Sequence, residues 1–190
     1  KDYESGDGML TTVWGPAMWH YLHTMSFNYP MHPTPADKQH YRDFVYQLRF
    51  VLPCKYCRIN LTNNLKKNPL QPCHLQNRKT FSKYIYDLHQ IVNKMLHKDK
   101  NNSLTFCQVR ERYEHFRSRC TDPKSTEKRE IFTFKKIKRN KKTLTKEKGC
   151  VEPLYGEKSK CIIQIVPQKN KKATFQMDKT CIKKRSLRFK

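Results

Sequence analysis

The chain has 190 residues and a formal charge of +24, from 40 Lys and Arg against 16 Asp and Glu. That length supports one domain with a real core, or a small domain with an extension. The charge points towards nucleic acid, acidic protein or anionic membrane as contacts and is silent on the fold, while no run approaches 18 consecutive apolar residues, which excludes a bilayer-spanning helix.

Residues 1 to 8 are polar and read as neither a signal peptide nor a transit peptide; because the chain opens on Lys rather than Met, an upstream targeting segment stays open. From 14 to 29 the spacing predicts a helix with Trp14, Met18, Tyr21, Leu22 and Met25 on one apolar face and Trp19, His23 and Ser26 on a second stripe, closed by Pro30. Taken alone, Trp19 and His23 also fit a core aromatic and a satisfied histidine. Thr34-Pro35-Ala36-Asp37 starts a second helix: a hydroxyl cap, proline at the first helical position and an acid three residues after the cap. Tyr41, Phe44, Val45, Leu48 and Leu52 follow at helical spacing and lead to Pro53.

Cys54-Lys55-Tyr56-Cys57 comes next, at the start of a third helix expected to run to about Lys67 and to bury Ile59 and Leu61 or Leu65. One helical turn brings two such cysteines to roughly 5 Å between Cα atoms, within disulfide range. A helix N-terminus also favours thiolate over thiol, so the pair suits redox chemistry. Structural zinc sites use the same spacing.

Residues 68 to 77 hold two prolines and read as a loop carrying Cys73-His74. Helix four has Phe81, Ile85, Leu88, Val92 and Met95 or Leu96 as an apolar stripe, with Tyr86, His89, Asn93 and His97 beside it. That second stripe is either a solvated face or a cofactor lining. Asn102-Ser103 caps a fifth helix through Phe106, Val109, Tyr113 and Phe116, ending near Cys120.

Beyond Cys120 the composition changes, with 22 Lys and Arg against 7 Asp and Glu in residues 121–190. Residues 131–134, 161–166 and 173–177 have strand composition, the last two joined by a turn, which predicts a small β-hairpin among lysine-rich segments. The expected organisation is an N-terminal tail (1–9), a helical domain (10–120) and a basic extension (121–190). Eight cysteines are many for a cytosolic enzyme and few for a disulfide scaffold. Of these, Cys120, Cys150, Cys161 and Cys181 read either as a widely spaced shuttle or as structural staples.

The run from Trp14 to Thr24, with Tyr29-Pro30, Pro33-Thr34-Pro35, Pro53-Cys54-Lys55-Tyr56-Cys57 and the run from Leu88 to Lys98, resembles the Erv/ALR flavin-linked sulfhydryl oxidases in order and spacing over about residues 10 to 118. The resemblance implies an all-α four-helix bundle with a short fifth helix, FAD held beside Cys54 and Cys57, and a homodimer through the first helices. It implies that Trp19 and His23 contact the flavin, and that His89, Asn93 and Lys98 hold the adenosine and pyrophosphate side. Tyr113 stands where the family has a tryptophan near the adenine; Trp14, Gly15 and Tyr86 are further cofactor-binding candidates. Tyr86 occupies a position where the family usually has a cysteine bridged to one aligning near Cys107, so that bridge is expected to be absent. Pro16 stands where some relatives carry an FAD-contacting arginine. The Lys- and Asn-heavy composition looks like giant-DNA-virus members, which implies work in the virion or infected-cell cytoplasm. A cellular member would work in the mitochondrial intermembrane space or the secretory pathway.

The expected chemistry is oxidation of protein dithiols through Cys54 and Cys57, with electrons passing to FAD and on to O2 as hydrogen peroxide; no metal is expected. The rival is a basic nucleic-acid- or capsid-binding protein without oxidase activity, using Cys54, Cys57, Cys73 and His74 as zinc ligands. The basic extension reads either as an adhesive for an acidic partner, capsid or nucleic acid or as a solvated surface.

Overall fold

In the computed structural model, which describes residues 4–96, 103–121, 149–155 and 157–181, the described residues form five α-helices and one short antiparallel ladder. Helix α1 (Thr11–Phe27) ends before Tyr29-Pro30, and α2 (Pro35–Val51) begins where its sequence dictates. The Thr34 hydroxyl accepts the Asp37 N–H at 3.1 Å, and the Asp37 carboxylate accepts the Thr34 N–H at 2.8 Å. That reciprocal pair satisfies backbone donors the helix itself cannot serve. The Thr34 hydroxyl also donates to the Asp37 carboxylate at 2.7 Å, and this bond, together with that from the Thr34 N–H, holds the carboxyl below its ordinary range.

Helix α3 (Lys55–Lys67) starts on Cys54, and α4 (Arg78–Met95) is capped by Asn77, whose side chain accepts the Thr80 N–H at 3.1 Å. A single 3-10 turn, Pro72–Leu75, interrupts the loop between them. Helix α5 (Phe106–Glu114) is capped by Thr105 and not by Ser103, Asn102 lying outside the described residues: the Thr105 hydroxyl accepts the Gln108 N–H and the Gln108 side chain accepts the Thr105 N–H. The helix also stops at Glu114, short of Cys120.

Compactness divides the chain into two units, the first comprising the residues through Glu114 together with Gln164–Gln176. In it α1 packs on α4 and α5, and α2 packs on α3. The main core joins Leu22, Tyr29, Val45, Leu48, Leu61, Leu65, Leu70, Leu75, Phe81, Tyr84, Ile85 and Leu88. Each large apolar side chain so buried contributes about 1.5–3 kcal/mol. A second cluster of Phe27, Val109 and Tyr113, flanked by Tyr86, Leu104 and Phe106, seats α5.

Several face assignments are corrected. Tyr21 and Ile59 are about half exposed, and Met95 and Leu96 at the frayed end of α4 are exposed. Conversely, His23 and Ser26, on the stripe set apart from the apolar face of α1, are buried.

In the second unit, β1 (Ser118–Thr121) pairs antiparallel with β2 (Gly149–Pro153), Ser118 opposite Pro153 and Thr121 opposite Gly149. Cys150 in β2 is disulfide-bonded, whereas Cys161 and Cys181 carry free thiols. The expected hairpin of 161–166 with 173–177 does not form: both segments lack strand structure, and Ile162, Ile163 and Ile165 are exposed. A strand needs a partner edge as well as β-favouring residues, and no described segment supplies one. The expected strand 131–134 lies outside the described residues.

Candidate functional site

Cys54 and Cys57 form a disulfide across the first turn of α3, with Cα atoms 5.1 Å apart. Cys54 is the N-cap, in extended conformation, and its Sγ accepts the Cys57 N–H at 3.1 Å. A sulfur so placed is stabilised as thiolate by the amide and by the helix end. The N-terminal segment folds over this loop. Met9 N–H donates to the Pro53 carbonyl at 2.8 Å, Lys55 N–H donates to the Asp7 carbonyl at 2.9 Å, and Gly8 bridges to Cys54. Gly8 is required there, because its φ is +132° and a Cβ would lie 2.6 Å from the Cys54 Cα and the Pro53 carbonyl oxygen. Gly8, Met9, Leu10, Val13, Trp14 and Pro53 line a cleft of about 400 Å³ beside the cysteine loop. Trp14 Nε1–H donates to the Met9 carbonyl at 3.1 Å, and a Cβ on Gly15 would meet nothing within 4 Å, so α1 presents open space one residue further on.

A second constellation joins α1, α4 and α5. The Trp19 and His89 rings are stacked, with centroids 3.9 Å apart and planes 6° from parallel. His23 Nε2 lies 3.0 Å from His89 Nδ1, and His20 Nδ1 lies 3.3 Å from the Tyr113 hydroxyl. Tyr113 in turn stacks on Phe27 at 5.7 Å. Burial, aided by charge on His20, lowers the His23 pKa to about 4, so the ring is neutral at pH 7. Burial raises the Tyr113 hydroxyl to about 12, which keeps its proton in place. His23 Nδ1 is buried with no hydrogen-bond partner in the protein. A buried polar atom left unpaired is costly, and beside stacked rings it suits a planar, heteroatom-rich ligand.

The structure thus brings Trp19, His23, His89 and Tyr113 together. Trp14 lines the cleft beside Pro53, and Gly15 follows it on α1 with open space where a Cβ would lie. Tyr86 packs against the cluster of Phe27, Val109 and Tyr113, its hydroxyl donating to the Leu104 carbonyl at 2.8 Å. Asn93 is half-buried on α4 and Lys98 lies outside the described residues. Sequence reasoning missed His20 and Phe27; both follow residues of the recognised stripe by one position, a hint that the ring cluster is wider than a single helical stripe.

The zinc reading is not favoured. Cys54 and Cys57 are bonded to each other, His74 Nδ1 accepts the Gln71 N–H while its ring lies 4.8 Å from Tyr84, and Cys73 is a free, exposed thiol. No group of three or more metal-ligating side chains is found among the described residues. No described helix is long and apolar enough to cross a membrane.

The model of the Erv1/Alr family matches residues 16–114. The chain belongs to this family. Among its relatives is an Acanthamoeba polyphaga mimivirus protein named "Probable FAD-linked sulfhydryl oxidase", 40% identical over 85 residues, which cover 45% of this chain and 59% of that one. An African swine fever virus FAD-linked sulfhydryl oxidase is 36% identical over 87 residues, 45% of this chain and 69% of its own length. A double cysteine mutant of Erv1 from Saccharomyces cerevisiae shares the fold, with a TM-score of 0.50 at 22% identity over 60% of this chain and 91% of that one. The Erv1/Alr chain therefore spans little more than half of the mimivirus protein.

Proposed function

We propose that this Erv1/Alr chain is an FAD-linked thiol oxidase that makes disulfides in protein substrates. The observation that carries the reading is the Cys54–Cys57 disulfide across the first turn of α3, with the Cys57 N–H already directed at Cys54 Sγ. A substrate thiolate attacks Cys54 Sγ, the Cys54–Cys57 bond breaks, and Cys57 leaves with the electron pair. The second substrate thiol then attacks the first substrate sulfur. Cys54 departs as a thiolate stabilised by the Cys57 amide, and the substrate disulfide is released. Substrate has lost two electrons and two protons, and the cysteine pair has gained them. When bound, FAD accepts the two electrons and hands them to O2, giving hydrogen peroxide. Trp19 and His89 offer stacking surface for it, and neutral His23 offers a buried nitrogen. Asn93 and Lys98 join them as proposed ligands, as do Trp14, beside the cleft next to Pro53, and Gly15.

The viral relatives support a site of action in the virion or infected cell. Exposed Val13 and Tyr21 on α1 suit the proposed homodimer, and the excess of Lys and Arg beyond residue 120 suits an acidic partner, capsid or nucleic acid. The bonded state of Cys150 favours a structural role for it, while the free thiols of Cys161 and Cys181 remain chemically competent as a shuttle.

Cys57→Ser tests the reading. The variant is expected to purify folded and yellow, with flavin absorbance intact and dithiol-dependent oxygen uptake abolished. Undiminished turnover, or a wild-type chain that binds no flavin, would overturn it.

A further inference from the structure

Gln164–Gln176 belongs to the same compact unit as the five helices, and Phe175 is its one residue that is not exposed. The Phe175 ring lies 5.1 Å from that of His20 and 6.2 Å from that of Tyr113, with the Arg112 guanidinium 4.9 Å from its centroid. Three rings and a cation thus form one continuous surface that joins the constellation containing His23 and its unpartnered Nδ1. Fixing a largely exposed segment through one half-buried ring is a poor exchange of chain entropy for contact area. A planar ligand against the same ring would redress it.

We propose that Phe175 is a cofactor-binding residue, through which the C-terminal extension supplies a wall of the FAD site at its adenine end. This rests on the FAD reading above. The choice of end follows from the packing. Helix α3, which carries Cys57, packs on α2, whereas α5, which carries Tyr113, packs on α1. The redox-active ring has to reach Cys57, so the surface beside α5 receives the purine. Purines stack on aromatic side chains without regard to edge pattern, and an arginine beside the stack adds cation–π attraction.

The test is equilibrium titration of the flavin-stripped full chain with FAD and with FMN, followed by flavin fluorescence. Phe175→Ala is expected to raise the FAD dissociation constant about tenfold, the size one stacked ring supplies, and to leave FMN binding within about twofold. Phe175→Trp restores FAD affinity; Phe175→Leu, which keeps an apolar anchor without a π face, does not. FAD affinity unchanged in Phe175→Ala, while Trp19→Ala weakens it, overturns the proposal and leaves the FAD reading standing. Equal loss for FAD and FMN, or full rescue by Phe175→Leu, also overturns it. Wild-type protein that binds neither flavin overturns both readings.

Discussion

His23 Nε2 and His89 Nδ1 lie 3.0 Å apart between α1 and α4, and this contact leaves the other nitrogen of His23 buried and unpaired. One of the two rings must donate and the other accept, so the pair works only while at least one imidazole can accept. Charging both would remove every acceptor from the contact.

The consequence is a pH-dependent stability. The His23 pKa is lowered from 6.5 to about 4 in the folded state, chiefly by burial and then by His20. Between those values the unfolded chain takes up a proton that the native ring refuses, so stability falls as pH drops from about 6.5 towards 4 and is unaffected by this group above 6.5. Urea denaturation of flavin-free wild type and His23→Phe at pH 7 and pH 5 measures it. The difference in stability is expected to move by about 2 kcal/mol in favour of the variant at the lower pH. A constant difference would mean that His23 is not held neutral.

Tyr86 joins α4 to α5 by a hydrogen bond and a ring contact. Its hydroxyl donates to the Leu104 carbonyl at 2.8 Å and its ring meets Phe106 edge-on at 5.6 Å, so it ties the entry of α5 to α4. Cys107, one residue along α5 from Phe106, is a free and exposed thiol. Tyr86→Phe should cost about 1 kcal/mol in denaturant unfolding, the net worth of one hydrogen bond. Alanine there should cost more, because the ring contact goes too. Equal losses for the two variants would show that the ring contributes nothing.

Phe81 is fully buried, with Tyr29 at 4.8 Å and Tyr41 at 5.4 Å from its ring. Phe81→Ala should cost about 3–5 kcal/mol. Ile59→Ala, one apolar residue for another comparison, should change stability by about 0.5 kcal/mol or less, because Ile59 is 48% exposed. Thermal melts of the two variants would reverse that ranking if the sequence-based burial of Ile59 were right.

That contrast marks where the sequence is legible. Helix α4 reads well because Phe81, Ile85 and Leu88 repeat at helical spacing on a single buried stripe, and α2 because Thr34 and Asp37 are a local device. Tyr21, Ile59 and Leu96 mislead because periodicity gives a face without saying how far along it the neighbouring helix reaches. The closeness of Cys54 and Cys57 is legible in their spacing, and the 5.1 Å between their Cα atoms agrees with it, whereas the contacts among Trp19, His23, His89 and Tyr113 are not legible, since His23 and His89 are 66 residues apart. The ladder of β1 with β2 and the docking of Phe175 on His20 and Tyr113 were missed for the same reason: each depends on a distant partner that local composition does not reveal.

Gly8 offers a test of whether the N-terminal strap governs access to the Cys54–Cys57 disulfide. A methyl group at this position would meet backbone, not a flexible side chain, 2.6 Å away on Pro53 and Cys54, and a φ of +132° is itself unfavourable for alanine. Gly8→Ala should therefore release the strap instead of straining the bundle, since Met9 and Leu10 are exposed and little core contact is lost. Hydrogen exchange should show the Met9 and Lys55 amides losing protection together, because their acceptors lie on opposite sides of the same bridge at Pro53 and Asp7. Global stability should fall by about 1 kcal/mol or less, while reduction of the Cys54–Cys57 bond by a small thiol should accelerate severalfold as the loop is uncovered. Loss of amide protection with no change in reduction rate would show that the strap packs beside the disulfide without limiting access to it.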